Sequence, residues 1–84
     1  MARLRLYGRR WCHLCEDMRA ALEALRAEPG VGHFDLEVLD VDADPALVGK
    51  YDELVPVLAG EDGQELCHYF LDAAKVREYL ASFG

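Results

Sequence analysis

The stretch WCHLC, residues 11–15, holds two cysteines three positions apart, at the point where a helix is predicted to begin. A short strand over residues 3–7 alternates basic and apolar side chains and leads into this stretch, and Gly8 breaks the strand. Residues three apart lie on neighbouring parts of one helical turn, so Cys15 can reach back to Cys12. The stretch therefore predicts a dithiol that can close into a disulfide.

The helix after the dithiol is predicted to run from about residue 13 to residue 27. Pro29 disfavours helix at the residue before it, and Gly30 suits a turn, so the helix stops there. An apolar stripe at helical spacing is expected to face the core. Its members are Leu14, Met18, Ala21, Leu22 and Leu25.

Residues 33–41 predict a second strand, which is expected to pair in parallel with the first one. A strand–helix–strand succession implies a right-handed crossover, and a parallel pair follows from it. Both faces of this strand carry apolar side chains. Phe34, Leu36 and Val38 lie on one face, and Leu39 and Val41 on the other.

The second half of the chain predicts a short helix followed by a hairpin. Asp44 and Pro45 are an N-cap and a first helical residue, and this helix ends near residue 51. An apolar strand over residues 54–59 and a returning strand over residues 65–69 enclose a turn rich in glycine and acidic residues. These signals predict an antiparallel pair of strands.

A last helix, capped by Asp72, completes the order β-α-β-α-β-β-α. This order predicts a single α/β domain over residues 1–84, with a four-stranded mixed sheet and three helices. Two helices are expected on one face of the sheet and the short middle helix on the other. The buried stripe of the last helix is predicted to be Ala73, Val76, Leu80 and Phe83.

Charge and hydropathy exclude several classes of function. The net charge of −7 argues against nucleic-acid binding, which needs a basic face. No apolar run approaches the roughly 18 residues that cross a bilayer, and the N-terminus lacks the apolar core of a signal peptide. We therefore expect a cytoplasmic protein without a membrane partner. Residues 1–26 carry six arginines against three acidic residues, so the dithiol lies in the basic part of the sequence.

The cysteine count of three is odd, which does not fit a disulfide scaffold. In a reducing cytosol a close pair is more often catalytic, redox-sensing or metal-binding than structural. At a helix N-terminus Cys12 meets unpaired backbone N–H groups that favour its thiolate, and Arg9 and Arg10 add positive charge. Glu16 and Asp17 act in the opposite direction.

Together these residues resemble a known group of proteins. The run YGRRWCHLCE over residues 7–16, the Val55-Pro56-Val57 stretch and the order of elements resemble the thioredoxin-like superfamily. The nearest branch is the glutaredoxins, because the order lacks an extra strand and helix before the first strand. The active site is most similar to that of small bacterial glutaredoxin-like proteins, which have Cys-x-Leu-Cys followed by acidic residues.

This resemblance implies a role for each residue of the site. Cys12 would be the attacking thiol and Cys15 the resolving thiol. Pro56 would be a cis-proline that faces the dithiol, and the backbone of Val55 would pair with a bound glutathione or peptide. Arg9 would contact glutathione.

The resemblance also implies the activity of a dithiol disulfide oxidoreductase, which reduces protein or glutathione mixed disulfides in electron transport. No bound cofactor is expected, and glutathione is the candidate reductant. The expected partners are a disulfide-containing protein or glutathione and a reductase system, with the chain acting as a monomer. The chain departs from glutaredoxins in its His13-Leu14 pair between the cysteines and in lacking a Gly-Gly turn before the last helix, which leaves glutathione dependence open.

Two residues beside the dithiol each allow two interpretations. His13 either tunes Cys12 electrostatically or helps to protonate a leaving thiolate. Trp11 either forms an exposed apolar lip for substrate docking or packs within its loop.

The remaining candidates for chemistry are Cys67 and the histidines. Cys67 is expected to pack in the core, with a secondary redox role as the alternative. His33 and His68 are expected to be surface or satisfied strand residues rather than ligands. A zinc site on Cys12, Cys15, Cys67 and His68 has the right ligand types. However, Cys67 and His68 are adjacent in a strand and point to opposite faces, so no metal is expected. Two more interpretations of the cysteine pair stay open, a cluster bridged between two chains through Cys12 and an interaction module without turnover.

Overall fold

A computed structural model describes residues 2–31 and 33–82 of the chain. Its helices and strands follow the predicted order β-α-β-α-β-β-α, with a short 3₁₀ turn after the second strand. The elements are β1 (Ala2–Gly8), α1 (His13–Arg26), β2 (Phe34–Asp40), the 3₁₀ turn (Val41–Ala43), α2 (Pro45–Tyr51), β3 (Val57–Gly60), β4 (Glu65–His68) and α3 (Ala73–Ala81).

The four strands form one mixed sheet in the order β2-β1-β3-β4. β1 runs parallel to β2, as the crossover predicted, and antiparallel to β3, while β3 and β4 form the antiparallel hairpin. Tyr7 near the end of β1 pairs with Leu39 of β2 and with Val57 at the start of β3. The ends of β1 and β2 and the beginning of β3 therefore lie at the same end of the sheet, where the dithiol follows β1.

Two apolar clusters lie on opposite faces of the sheet, because neighbouring residues of a strand point to opposite sides. The first cluster joins Leu6 of β1 to Leu22 of α1 and Val76 of α3. The second joins Tyr7 of β1 to Tyr51 of α2. The predicted layering, with two helices on one face and the short helix on the other, is confirmed.

The predicted helix starts are confirmed by their caps. The carboxylate of Asp44 accepts a hydrogen bond of 2.9 Å from the N–H of Ala46 at the start of α2. The carboxylate of Asp72 accepts one of 3.1 Å from the N–H of Lys75 in α3. Each acceptor satisfies a donor that the first helical turn leaves without a partner. Phe83, predicted in the stripe of α3, lies outside the described residues.

Two boundaries near the dithiol differ from the prediction. β1 continues through Gly8, which pairs with Asp40, so Gly8 does not break the strand. β2 ends at Asp40, because its side chain accepts the N–H of Asp42 and starts the 3₁₀ turn that places Val41 in the second cluster. Val38, which was predicted on the same face as Phe34 and Leu36, is 50% exposed on this edge strand.

The hairpin is also shorter than predicted. β3 begins at Val57, because Pro56 has no N–H to donate to a neighbouring strand. β4 ends at His68, because Tyr69 adopts a left-handed backbone with a φ of 64° that no strand continues. The peptide bond between Val55 and Pro56 is cis.

Candidate active site

α1 begins at His13, as the sequence predicted, and Cys12 is its N-cap residue. Its backbone is extended, with a φ of −103°, and its sulfur accepts a hydrogen bond of 3.1 Å from the N–H of Cys15. Its carbonyl oxygen accepts the N–H of Glu16 at 3.1 Å. A sulfur that receives a backbone N–H at the positive end of a helix is stabilised as the thiolate.

A disulfide joins Cys12 and Cys15. Their Cα atoms are 5.2 Å apart, which lies within the range that disulfides span. Both residues are half-buried. The predicted dithiol can therefore exist as a closed pair without movement of the backbone, and it remains within reach of solvent.

The side chain of Arg9 is bound by two carboxylates. One guanidinium nitrogen lies 2.8 Å from Oδ1 of Asp52 and 3.0 Å from Oδ1 of Asp42. The hydrogen bond to Asp52 and the attraction of both carboxylates raise the pKa of Arg9 above its ordinary value, against a smaller opposing effect of desolvation. Arg9 thus ties the dithiol loop, residues 9–12, to the 3₁₀ turn after β2 and to the end of α2. Glutathione binding by Arg9 stays a prediction.

Asp42 and Asp52 were not predicted as residues of the site. They lie 33 and 43 positions from Arg9, so no local spacing links them. Asp42 lies in the 3₁₀ turn after β2, and Asp52 directly follows α2. The ends of β2 and α2 were predicted, but only the three-dimensional arrangement of the sheet shows that both lie beside the dithiol loop.

Trp11, the aromatic residue of the dithiol loop, is almost fully exposed. Its side chain is 93% exposed and its backbone is left-handed, with a φ of 60°. Of the two interpretations of Trp11, the exposed lip agrees with this geometry, and packing within the loop does not. His13 is also exposed, at the first position of α1. Substrate contacts by these two residues stay predictions.

Pro56 belongs to the same end of the sheet, because the next residue, Val57, pairs with Tyr7 of β1. Its ring is fully buried, whereas Val55 is half-buried. The carbonyl of Pro56 accepts the N–H of Tyr69 at 2.9 Å, and the Tyr69 hydroxyl donates to the carbonyl of Glu53 at 2.6 Å. Tyr69 therefore holds residues 53–56 against the end of β4.

An open cavity of about 370 Å³ lies against the dithiol, between the dithiol loop, α1 and the end of β2. This volume falls within the range of small-ligand sites. Its wall combines apolar, basic and acidic residues with both cysteines, so it offers apolar and charged contacts beside the disulfide. The wall includes Cys12, Cys15, Trp11, Arg10, Arg19 and Val38.

The third cysteine lies away from the dithiol, on β4. Cys67 is half-buried and packs against the first apolar cluster, and its burial raises the pKa of its thiol. The neighbouring His68 is exposed, with Nδ1 3.5 Å from a carboxylate oxygen of Glu65. His33 is exposed as well.

Within residues 2–31 and 33–82 no three or more His, Cys, Asp or Glu side chains are grouped closely enough to hold a metal ion. In the same ranges no helix has the length and apolar character needed to cross a membrane.

Comparison with known proteins identifies the family. The model of the glutaredoxin-like domain (DUF836) matches residues 3–81. The chain belongs to this glutaredoxin-like family. The resemblance drawn from the dithiol and the order of elements is therefore confirmed. No match was found among curated proteins.

Solved structures agree with this assignment. The chain of the glutaredoxin-like protein is 42% identical to protein Ne2328 of Nitrosomonas europaea, with a TM-score of 0.83 over 94% of this chain and 91% of the other. It is 38% identical to protein XcR50 of X. campestris, with a TM-score of 0.70 over 94% and 96% of the two chains. A thioredoxin mutant from Halobacterium salinarum, 22% identical, gives a TM-score of 0.63 over 98% of this chain and 74% of the other. That last likeness shows the thioredoxin fold.

Proposed function

We propose that this glutaredoxin-like protein is a thiol–disulfide oxidoreductase that uses Cys12 and Cys15 to reduce disulfides of proteins or mixed disulfides of glutathione. The observation that carries the proposal is the Cys12–Cys15 disulfide at the start of α1, beside an open cavity. Exchange needs a sulfur on which negative charge is stabilised and a second sulfur within bonding distance. This pair provides both.

The reaction consists of two displacements. The thiolate of Cys12 attacks one sulfur of the substrate disulfide, the bond between the substrate sulfurs breaks, and the departing sulfur takes up a proton. Cys15 then gives up its proton and attacks the sulfur of Cys12, which releases the second substrate thiol. The substrate has gained two electrons, and Cys12 and Cys15 are left as a disulfide. Two thiols of an external reductant, either glutathione or a reductase system, return the two electrons.

The roles of the two sulfurs follow from their surroundings. The sulfur of Cys12 accepts the N–H of Cys15, so charge on Cys12 is stabilised. The sulfur of Cys15 packs over Gly8 at the end of β1, which makes it less accessible to a large substrate. We therefore assign the attack to Cys12 and the resolving step to Cys15.

Of the two substrate classes, a protein disulfide is favoured. Trp11 and Phe70 are 93% and 71% exposed and offer apolar area to a polypeptide. The cation of Arg9, which would attract the carboxylates of glutathione, is already bound to two carboxylates of the protein. We propose that Trp11 and the backbone of Val55 dock an extended substrate segment beside Pro56, and that His13 tunes Cys12 electrostatically.

The proposed setting is the cytoplasm, where reductants keep close cysteine pairs in their thiol form between turnovers. The proposed active species is a monomer without a bound cofactor.

The test is a redox titration of the purified protein in graded mixtures of reduced and oxidised glutathione, followed by alkylation and mass measurement. We expect Cys12 and Cys15 to titrate together as one two-electron couple, with Cys67 remaining a thiol. A potential of roughly −200 to −230 mV would favour glutathione as the reductant, and a potential of about −270 mV would favour a thioredoxin-type reductant.

Three variants distinguish the roles of the cysteines in disulfide exchange. Cys12→Ser should abolish exchange, and Cys15→Ser should trap a mixed disulfide on Cys12. Cys67→Ser is the matched control and should retain exchange. Full turnover by Cys12→Ser would contradict the proposal. A pair that never oxidises, or that resists alkylation until a chelator is added, would instead identify an interaction module or a metal site.

A further inference from the structure

Gly8 is the point where β1 meets the dithiol, and there is no room for a side chain on it. It is buried and is the last residue of β1. A Cβ atom built on Gly8 would lie 2.9 Å from the sulfur of Cys15 and 3.3 Å from the Cβ atom of Cys15. Side-chain carbons in proteins essentially never approach other atoms to less than 3.0 Å, so the sulfur would have to move.

The alternation of β1 explains why the contact falls on Cys15. Leu4 and Leu6 point to the face that α1 covers, and position 8 points to the same face because side chains alternate along a strand. The backbone does not require glycine here. Left-handed φ values among the described glycines occur at Gly30 and Gly63, whereas Gly8 lies in regular strand. Space for the sulfur therefore explains the glycine.

We propose that Gly8 is a positioning residue that sets the stability of the Cys12–Cys15 disulfide relative to the dithiol. In the disulfide the bond to Cys12 fixes the sulfur of Cys15 against Gly8. In the dithiol that sulfur can rotate about the Cα–Cβ bond of Cys15, away from the end of β1. The distance of 3.3 Å between the two Cβ atoms is tight, but the backbone fixes both atoms, so we expect this contact to cost the same in both states. A methyl group at position 8 thus penalises the oxidised state selectively.

This role rests on the proposed function, since it matters only if the pair cycles between its two states. The relevant equilibrium is the reduction of the disulfide by two molecules of glutathione. The bond between Cys12 and Cys15 breaks, a bond between the two glutathione sulfurs forms, and both protons of the glutathione thiols pass to the cysteines. Two electrons move from glutathione to the protein.

The experiment compares the wild-type protein with Gly8→Ala and with Gly49→Ala in graded mixtures of reduced and oxidised glutathione, quenched by alkylation. For Gly8→Ala we expect the constant for disulfide formation to fall about tenfold, which raises the potential by about 30 mV. Gly49 is the matched control, because a Cβ atom on it has no neighbour within 4 Å and its φ is not left-handed. Gly49→Ala should leave the potential unchanged.

Melting of each variant with and without a thiol reductant provides a second measurement. We expect Gly8→Ala to lower the melting temperature more in the oxidised than in the reduced protein. An unchanged potential, or an equal loss of stability in both states, would overturn the proposal and leave Gly8 as a strand residue only. If Gly8→Ala does not fold, addition of Cys15→Ala should restore folding to the level of Cys15→Ala alone. Failure to restore it would also overturn the proposal.

The wild-type titration separates this inference from the proposed function. A wild-type pair that forms no disulfide at any ratio of the two glutathione species overturns both. A wild-type pair that titrates reversibly, together with a Gly8→Ala pair of the same potential, overturns the role of Gly8 alone.

Discussion

Replacement of Trp11 by glycine should stabilise the protein while slowing its reaction with protein disulfides. Trp11 has a left-handed backbone, with a φ of 60°, and its side chain is 93% exposed. For an ordinary residue this conformation costs about 1–2 kcal/mol, and glycine adopts it without strain. Little burial is lost, because the side chain hardly contacts the rest of the protein. We therefore expect Trp11 to add nothing to the free energy of unfolding. This is consistent with a role of Trp11 in docking the substrate rather than in stabilising the fold.

The magnitude follows from two opposing effects. Glycine removes the backbone strain but increases the freedom of the unfolded chain, which costs about 0.4–1 kcal/mol. The net gain in the free energy of unfolding is about 0.5–1 kcal/mol for Trp11→Gly, or roughly 2–8 °C in melting temperature for a domain of this size. Trp11→Ala is the matched control, because it removes the side chain but keeps the strain. Its stability should stay within about 0.5 kcal/mol of the wild type.

Two assays test the two parts of this prediction. Urea or thermal unfolding of the reduced proteins should show the gain for Trp11→Gly and no gain for Trp11→Ala. Both variants should react more slowly with a protein disulfide, while their rates with a small uncharged disulfide stay close to the wild type. A loss of stability above about 1 kcal/mol in both variants would refute the reasoning, because it would mean that the indole packs against the protein.

Three further predictions concern residues around the site and the hairpin. In Cys12→Ser/Cys15→Ser protein, the rate of Cys67 alkylation should rise at a higher pH than the rate for a model thiol, because burial raises the pKa of Cys67 and keeps the thiol protonated. Equal pH profiles in folded and urea-unfolded protein would contradict this. Gly60→Ala should cost about 1–3 kcal/mol in urea unfolding, because its Cβ atom would lie 2.6 Å from Cζ of Tyr79, whereas Gly49→Ala should cost nothing comparable. Tyr69→Phe should lose about 0.5–1.5 kcal/mol in the same assay, because its hydrogen bond to the carbonyl of Glu53 is removed, and an unchanged free energy of unfolding would show that this bond does not stabilise the fold.

The fold could be predicted from the sequence because its signals are local. The apolar stripe of α1, the Asp44 and Asp72 caps and the strand–helix–strand succession each act over a few residues, and each was confirmed. Strand ends were less predictable. β2 ends at Asp40 because its side chain accepts a hydrogen bond from the N–H of Asp42, and β4 ends before Tyr69 because the backbone of Tyr69 is left-handed. The hydropathy pattern of the sequence indicates neither feature.

The two sulfurs of the site were predictable for the same reason, since a spacing of three at a helix start is a local pattern. Their surroundings were not. The contact between Gly8 and Cys15 depends on which face of β1 the helix covers, whereas the sequence alone predicted that Gly8 breaks the strand. Val38 was predicted only to share a face of β2 with Phe34 and Leu36, and its place at the cavity follows from the position of β2 at the edge of the sheet.

The charge around the dithiol shows why specificity is the hardest property to predict. The basic N-terminal part of the sequence suggested attraction of an anionic partner, but the sheet brings Asp42 and Asp52 to Arg9 from distant positions. Each carboxylate lies within 3.0 Å of the guanidinium, so two negative charges accompany one positive charge. At exposed sites charges more than roughly 8–10 Å apart are largely screened, so the charge at the dithiol depends on the side chains beside it. These include Arg10 and Arg19 but also Glu16 and Asp40, which line the same cavity. For the proposed reaction we therefore expect the helix N-terminus and the N–H of Cys15 to stabilise the thiolate of Cys12, and apolar contact to contribute to the choice of substrate more than net charge does.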